Sequence, residues 1–294
     1  MLDSNKVLFR LTRRRFLGYG LATLAGAATI DGFFVEPAHP VIERREIQLA
    51  RLPKSFSGFR IALISDIHFG PFMGRAGVGR AVRLAQTFSP DLLVLVGDFV
   101  SHPFGQSNGA AGAHHAEPCA DVLATWKGVP MAAVLGNHDW WNGAEIVTGA
   151  LAERGITVLR NQSIAIERGG DRLWIAGVDD VYEGHADLPR ALSSVPNSEA
   201  TLLLAHEPDF ADYAARFPID LQLSGHSHGG QVRVPGIGPI VLPELGRKYN
   251  NGWYRSGNLQ IYTNRGLGVI DPPVRFNCPP EVTHITLKSS LART

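Results

Sequence analysis

The sequence is poor in cysteine, has no excess of one charge sign and contains no long apolar run. Two of its 294 residues are cysteines, Cys119 and Cys278, and the absence of CxxC spacing excludes a thiolate metal cluster. The two could form a disulfide or could simply be buried, and the sequence leaves both alternatives open. Lysine and arginine number 28 against 27 aspartates and glutamates, so no overall positive field or basic stripe favours nucleic acid as a partner.

An arginine cluster followed by an uncharged segment lies near the start of the chain. The uncharged segment, Phe16 to Ile30, is about 15 residues long, whereas a membrane-spanning helix needs roughly 20. This is the order of a secretory leader, and Thr12–Leu17 resembles the S/T-R-R-x-F-L pattern of twin-arginine signals. We therefore predict a twin-arginine-type signal or N-terminal anchor over residues 1–30, with a short amphipathic or anchoring helix as the alternative. Such a leader implies the twin-arginine export machinery as a partner, and a periplasmic, extracytoplasmic or membrane-attached protein.

After the leader, strand-like apolar runs alternate with helical patterns. We assign residues 31–57 to a spacer with a first strand, 58–288 to one folded domain and 289–294 to a tail. In the domain, runs such as Leu92–Val96 alternate with helical spacing such as that of Val78 to Ala85. This alternation predicts an α/β layered fold rather than an all-β fold. We expect the last two apolar runs, 260–263 and 282–287, to be sheet edges or a closing hairpin.

Two further stretches have less specific patterns. The segment Ser101–Glu117 is rich in Gly, Ala and His, and we interpret it as a mobile loop whose histidines are not metal ligands. Trp140 and Trp141 either pack in the core or flank a cleft. Four further residues form either an amphipathic rim for a lipid substrate or an ordinary loop anchor: Tyr249, Asn250, Trp253 and Tyr254.

Polar side chains of metal-ligand types follow five of the predicted strands, at the point where each strand ends. They are Asp66, His68, Asp98, Asn137, His138, Asp139, His206, His226 and His228. Ligands of layered α/β sheets gather beyond the carboxyl ends of the strands, so we expect these side chains to converge. Each motif alone is common at strand ends, and the inference rests on the five together.

The types of donor indicate which ions such a site would bind. Carboxylates, an amide and imidazoles without thiolate suit Mn, Fe, Zn or similar divalent ions. The donors exceed the needs of one ion. Two ions about 3.5–4 Å apart are a recurring device for in-line attack at phosphorus.

The ordered motifs DIH, GD, GNHD, H and GHSH resemble the calcineurin-like metallophosphoesterase superfamily over roughly residues 58–288. With the arginine leader, the chain is similar to bacterial phosphodiesterases of the YkuE/YaeI type. The resemblance implies a single-domain, four-layer α/β/β/α sandwich with two divalent metal ions. It also implies two sets of metal ligands joined by a bridging Asp98: Asp66, His68 and His228 for one ion, and Asn137, His206 and His226 for the other.

The resemblance also implies roles for residues that do not bind metal. His138 would contact the phosphate and help to protonate the leaving group, and Asp139 would orient His138. A carboxylate beside an imidazole fixes its tautomer and raises its pKa. Purple acid phosphatases have a tyrosine three residues after the bridging aspartate, and here Ser101 stands there, which speaks against a ferric phenolate site.

The implied function is that of a metal-dependent phosphoric ester hydrolase, in which a metal-bridging hydroxide attacks phosphorus in line. Within this class we predict a phosphodiesterase or pyrophosphatase, with a lipid-linked or envelope substrate as an extension from the leader and the aromatic residues. The alternatives are a metal-binding module without catalysis, and a phosphomonoesterase or nuclease of the same superfamily. A purely structural metal site has no need of His138 and Asp139, which favours the enzyme.

Overall fold

Two six-stranded sheets form the centre of the molecule. The computed structural model describes residues 12–102 and 111–290. In spatial order, the first sheet contains β1 (Val41–Leu49), β14 (Glu281–Ser289), β2 (Arg60–Ser65), β3 (Leu92–Val96), β4 (Met131–Val134) and β5 (Thr157–Val158). The second contains β12 (Gly252–Ser256), β13 (Leu259–Thr263), β9 (Leu221–Ser224), β8 (Ala200–Leu204), β7 (Asp171–Gly177) and β6 (Gln162–Arg168).

Most neighbouring strands in both sheets run parallel. The antiparallel pairs are β14 with β2, β12 with β13 and β6 with β7. A short hairpin of β10 (Arg233–Val234) and β11 (Gly238–Pro239) lies outside both sheets. The parallel strands β2, β3 and β4 therefore end at one edge of the first sheet, and β7, β8 and β9 end together in the second.

Seven α-helices and several short helical turns accompany the strands in the described part of the chain. The α-helices are α1 (Arg13–Ile30), α2 (Arg75–Gln86), α3 (Ala116–Leu123), α4 (Asn137–Trp141), α5 (Ala144–Ala152), α6 (Leu188–Ala191) and α7 (Ala211–Ala214). Short 3₁₀ turns span Glu36–Ala38, Lys54–Phe56, Ala113–His115, Pro208–Phe210 and His228–Gly230, and a π-helical turn spans Asp31–Val35. Helix α2 buries Val78, Ala81, Val82 and Ala85, the spacing of one apolar helical face.

The side chains of the strands show how the layers stack. Along β2, Ile61 and Leu63 pack between the two sheets, whereas Ala62 and Ile64 pack with residues of α2, α3 and α5. The outer face of the second sheet packs against α6 and α7. Strands buried on both faces read as continuous apolar runs, which explains why the sequence revealed them. The predicted four-layer α/β/β/α sandwich in a single domain is confirmed.

The expectation for the last two strands was wrong. Strand β13 lies between β12 and β9 inside the second sheet, and β14 lies between β1 and β2 inside the first. Neither is therefore a sheet edge, and the two do not pair with each other as a hairpin. The segment 264–280 crosses from one sheet to the other, and this crossing takes it past the carboxyl ends of the strands.

The N-terminal helix α1 stands apart from the packed layers. All of its residues are exposed. Residues 1–11 of the chain lie outside the described residues. Among the helices of the described ranges, none has both the length and the apolar character needed to cross a membrane. Cys119 and Cys278 are both buried and free, which settles the alternative that the sequence left open.

Candidate metal centre

Side chains from both sheets meet where β2, β3, β8 and β9 end. Asp66, His68 and His228 form one group of potential metal ligands, and Asp66, Asp98 and His206 form another. In each group the ligand atoms lie within 4.8 Å of one another, and all of these residues are buried. The predicted convergence of these five residues is therefore observed.

The backbone at these positions is unusual. Five of the site residues have left-handed φ angles between 48° and 65°: Asp66, His68, Asp98, His226 and His228. Non-glycine residues rarely adopt this conformation, and it persists only where surrounding structure enforces it. Here the tight turns at the strand ends bring polar side chains together beyond the carboxyl ends of the strands. The strain is concentrated where the donors gather.

Asp98 faces histidines that follow strands of both sheets. Its Oδ2 atom is 3.4 Å from His68 Nε2 and 3.2 Å from His206 Nε2. Its Oδ1 atom accepts a 2.9 Å hydrogen bond from the main-chain N–H of His138, which fixes the rotation of the carboxylate. One carboxylate oxygen thus faces a histidine from each sheet.

Asp66 is held in a similar way. Its Oδ1 atom accepts a 2.8 Å hydrogen bond from the His226 main-chain N–H and lies 3.5 Å from His228 Nε2. Its Oδ2 atom is buried without a hydrogen-bond partner in the described part of the chain. A buried carboxylate oxygen without a partner is costly unless a ligand completes it.

Asn137 and His226 face each other across the site. His226 Nε2 lies 2.8 Å from the Glu244 carbonyl oxygen, so this nitrogen must carry the proton and donate it. His226 Nδ1, left with a lone pair, lies 3.1 Å from Asn137 Oδ1, also an acceptor. We assign these roles from the hydrogen-bond pattern. Two facing lone pairs repel each other unless a cation lies beside both.

His206 offers a further buried ring nitrogen. Its Nδ1 is 3.0 Å from the Val96 carbonyl and donates to it, whereas Nε2 is buried with no well-directed hydrogen bond among residues 12–102 and 111–290. Such a second hydrogen bond fixes the tautomer of a metal-binding histidine. The unpartnered carboxylate oxygen, the facing lone pairs and this nitrogen together fit a divalent cation.

Burial and mutual charge shift the pKa values in the metal-free site. Burial raises the pKa of Asp66 to about 7. Burial also acts to lower the pKa of His206, but the carboxylates of Asp98 and Asp66 outweigh it and hold this pKa well above its usual range. Burial lowers the pKa of His68 and of His228 well below the usual value. These two rings are therefore neutral near pH 7, as metal coordination requires.

His138 forms a further group of potential metal ligands with His68 and Asp98. Its ring centroid is 4.6 Å from that of His68 and 4.6 Å from that of Trp141. Burial lowers the pKa of His138 to about 4, so the imidazole is neutral near pH 7. The sequence-based expectation that a neighbouring carboxylate raises this pKa is wrong for the metal-free protein.

Asp139 does not orient His138. Its Oδ1 accepts hydrogen bonds from the main-chain N–H groups of Phe99 and Val100, and its Oδ2 accepts one from Gly136. His138 Nδ1 is buried without a partner in the described chain. Consecutive residues of a helix project in different directions, so the two neighbours in α4 cannot face each other. Asp139 instead fixes the turn that carries Asp98.

Glu207 and Asp180 belong to the site but were missed from the sequence. Glu207 groups with His206 and His226 within ligand distance, and it is fully buried. Burial and the neighbouring Glu207 raise the pKa of Asp180 to about 9, so Asp180 is protonated near pH 7. The available sequence signal was the position of Glu207 directly after His206.

Arg275 was also missed. It is fully buried, and its guanidinium donates to the carbonyl groups of Arg265, Gly266, Gly268 and Cys278. One of its nitrogens lies 3.5 Å from His228 Nδ1. It therefore holds the crossing segment 264–280 against the metal-ligand loop. The sequence gives no local pattern for it, because it lies 47 positions from His228.

Two glycines allow the close approach of the ligands. A Cβ at Gly136 would collide with Asp98 Oδ1 and lie 2.7 Å from His206 Nε2. A Cβ at Gly225 would collide with Asp66 Oδ2. These positions need glycine for space rather than for a left-handed φ angle.

Aromatic residues border the site on the His138 side. Trp141 is partly exposed, and its ring contacts Tyr182 and His102 as well as His138. Trp140 packs on His185 and donates to Asp179, as expected for a packing residue. Of the predicted loop Ser101–Glu117, residues 103–110 lie outside the described ranges.

The four residues that could form an aromatic rim for a lipid substrate make contacts within the protein instead. Tyr249 is buried and donates to Asp212, and Tyr254 packs beside it. Trp253, on β12, donates to Gln260, and the main-chain carbonyl of Asn250 accepts from Ser227. These contacts are those of loop and strand anchors, which was the alternative interpretation.

Comparisons with known proteins show the family to which the chain is related. Residues 59–230 match the family of calcineurin-like phosphoesterases. The metallophosphoesterase YkuE of Bacillus subtilis (strain 168) is 33% identical over 290 residues, covering 96% of this chain and 99% of that protein. The phosphodiesterase YaeI of Escherichia coli (strain K12) is 34% identical over 287 residues, covering 94% and 99%. Among solved structures, YfkN of Bacillus subtilis aligns with a TM-score of 0.46 at 12% identity, covering 78% of this chain and 90% of that one.

The chain belongs to the calcineurin-like phosphoesterase family. Members are metal-dependent phosphoester hydrolases, and this protein is a metallophosphoesterase whose clustered candidate metal ligands include Asp66, His68, Asp98, His206 and His228. The distant structural alignment adds nothing to this assignment.

Proposed function

We propose that the protein hydrolyses a phosphodiester or phosphoanhydride with the help of two divalent metal ions. The observation that carries this proposal is the position of Asp98, whose Oδ2 faces His68 and His206 at 3.4 and 3.2 Å. A carboxylate between two groups of donors suits a bridging ligand. The two sets would be Asp66, His68 and His228 for one ion, and Asn137, His206 and His226 for the other.

The two ions would lower the pKa of a water molecule and neutralise charge on the phosphoryl oxygens. The protein's own residues have complementary tasks. His138, neutral near pH 7, would donate a hydrogen bond to a phosphoryl or leaving-group oxygen. Protonation of the leaving group by His138 requires that the bound phosphate raise its pKa above the value of about 4 found here. Asp139 and Gly136 keep the turn of Asp98 in place.

Within the phosphoester class, a diester is favoured. The relative YaeI is named a phosphodiesterase, and the chain aligns with it over nearly its whole length. We further propose a lipid-linked or envelope substrate, and export by a twin-arginine-type signal to a periplasmic, extracytoplasmic or membrane-attached location. The motif Thr12–Leu17 supports the export proposal. Replacing Arg13 and Arg14 together by lysine should block export, as cell fractionation would show; unchanged localisation would contradict it.

Metal analysis and hydrolysis on the same preparation test the catalytic proposal. Chelated protein should be inactive, and reloading with Mn, Fe or Zn should restore cleavage of bis(4-nitrophenyl) phosphate in preference to 4-nitrophenyl phosphate. His226→Ala and His228→Ala should each weaken a different metal site. Equal occupancy losses at one site in both variants would contradict the two-ion assignment, and an inert metal-loaded protein on a broad panel of mono- and diesters would favour the metal-binding module.

A further inference from the structure

An apolar cavity adjoins the metal centre. It has a volume of about 360 Å³ and lies between the loop 227–232, the segment 240–243 and the segment 270–274. His228 belongs to the cavity wall and to the group of candidate metal ligands. The cavity and the candidate metal centre therefore share one side chain.

The cavity wall offers little to a polar ligand. Much of it is aliphatic or proline: Val232, Ile240, Val241, Pro243, Ile270, Pro272 and Val274. The amide group of Gln231, which also lines it, donates to the carbonyls of Ile270 and Pro272 and accepts from the Ile270 N–H. The Ser227 hydroxyl donates to the Asn250 carbonyl. The lining also includes one carboxylate, that of the exposed residue Asp271. Because Gln231 and Ser227 are paired within the protein, the aliphatic part of the cavity suits a hydrocarbon group.

Exposed aliphatic side chains surround this region. Val241 is 73% exposed and Ile240 57%, and both line the cavity. Ile237, on the turn of the β10–β11 hairpin, is 76% exposed. Single exposed apolar residues are ordinary, but several beside an apolar cavity indicate a site that meets an apolar partner.

The N-terminal helix is tied to the same part of the molecule. The Gly32 carbonyl accepts a 2.9 Å hydrogen bond from the Arg275 N–H, and a Cβ at Gly32 would lie 3.1 Å from Val274 Cγ2. The Glu36 carboxylate accepts from the main-chain N–H groups of Asn277 and Cys278. Helix α1 thus leaves the folded domain next to a wall of the cavity.

The charge and surface of α1 indicate what lies nearby. The helix begins with Arg13–Arg15, and its side chains at Phe16, Leu17, Leu21 and Leu24 are 68–71% exposed. Arginines next to exposed apolar side chains complement the anionic headgroups and the hydrocarbon of a lipid surface. The cavity would then open close to the source of a lipid.

We propose that this cavity is the subsite for a hydrocarbon chain of an amphiphilic, membrane-derived phosphoester. The proposal rests on the proposed function for the position of the phosphate, which would lie at the metal centre on the other side of His228. Hydrocarbon-chain binding adds affinity with each methylene group buried, until the cavity is full.

Calorimetric titration of metal-loaded, full-length protein with alkyl phosphates tests this proposal. Ethyl, butyl, hexyl and octyl phosphate would be used below the concentrations at which they aggregate. The Kd should fall about two- to fourfold for each added methylene group over the first members of the series. A Kd that is independent of chain length would overturn the proposal, whether or not the protein cleaves bis(4-nitrophenyl) phosphate. Cleavage of bis(4-nitrophenyl) phosphate tests the proposed function, and the Kd series tests the hydrocarbon subsite.

Two matched variants locate the effect. Val241→Asp places a charge at an exposed position of the cavity and should bring the ratio of the Kd values for ethyl and octyl phosphate close to one. Ile146→Asp changes another exposed aliphatic residue, 51% exposed on α5, and should keep the wild-type ratio. An equal effect of both variants would overturn the proposal. So would a wild-type dimer that Val241→Asp dissociates in sedimentation while the chain-length series stays flat, because the region would then be an interface between copies.

Discussion

The two ends of the central strands differ in whether their buried polar groups have hydrogen-bond partners. At the end where β9 begins, Arg51 donates two hydrogen bonds to Asp220, at 3.0 and 2.8 Å, and Asp220 also accepts from the Thr201 N–H. At the carboxyl ends, Asp66 Oδ2 and His206 Nε2 are buried without such partners within the described chain. Both ends bury carboxylates, but only one leaves donor atoms unsatisfied. The difference shows where the protein is built to bind something rather than to hold itself together.

The largest expected effect comes from Asp98→Asn at the unsatisfied end. The side chain keeps its shape but loses its charge, so metal affinity should fall and kcat should drop by about 10³ or more. Hydrolysis of bis(4-nitrophenyl) phosphate and metal analysis would measure the two effects. Asp220→Asn is the matched control at the other end: it should lower the free energy of unfolding and leave kcat of the folded enzyme within about twofold. Similar kcat losses in the two variants would break the comparison.

Arg275→Met should cost the most stability among changes near the site. The variant leaves several buried carbonyl groups without their donor, so the free energy of unfolding should fall by about 3 kcal/mol. Chemical denaturation would measure it, with Arg172→Gln as the control. Arg172 forms an exposed ion pair with Glu199, and its loss should cost less than about 1 kcal/mol. Equal costs would show that Arg275 does not hold the crossing segment.

Gly136→Ala should reduce kcat by about 10², because a methyl group at this position displaces Asp98 and His206 and misplaced catalytic groups lose rate steeply. A Cβ added at Gly149, inside α5, would meet no other atom within 4 Å. Gly149→Ala should therefore keep kcat and raise the free energy of unfolding by about 0.5–1 kcal/mol. Metal content would be measured for both. A Gly136→Ala variant with wild-type kcat and metal content would contradict the close-packed geometry.

The smallest effect concerns pH and Asp180. Its pKa in the folded, metal-free protein is raised to about 9, above its value in the unfolded chain. Its contribution to stability is therefore complete below about pH 4 and is lost as the pH rises towards 9. Between pH 5 and 8, the free energy of unfolding of the metal-free wild type should fall by about 1–3 kcal/mol more than that of Asp180→Asn. Parallel pH curves for the two proteins would show that Asp180 is ionised in the folded state.

Much of the site could be predicted because each ligand follows its own strand. A buried strand, a tight turn and a polar residue are local features, so Asp66, Asp98 and His206 are visible as short motifs. The rule that ligands gather at the carboxyl ends of strands then brings them together. The layered fold followed from the alternation of strands and helices for the same reason.

What the sequence did not reveal depends on distant or geometric contacts. Arg275 reaches His228 only because the segment 264–280 crosses between the sheets, and the sheet position of β13 and β14 is not a local property. The role of Asp139 was misjudged because neighbours in sequence are not neighbours on a helix surface. The apolar cavity joins three separate segments, and none of them has a distinctive pattern.

The most direct test of the account is the anomalous scattering of a crystal of the manganese-loaded protein. Two peaks are expected, one on each side of the Asp98 carboxylate, with His68 and His228 beside one and His206, His226 and Asn137 beside the other. A single peak, or peaks away from Asp98, would contradict it.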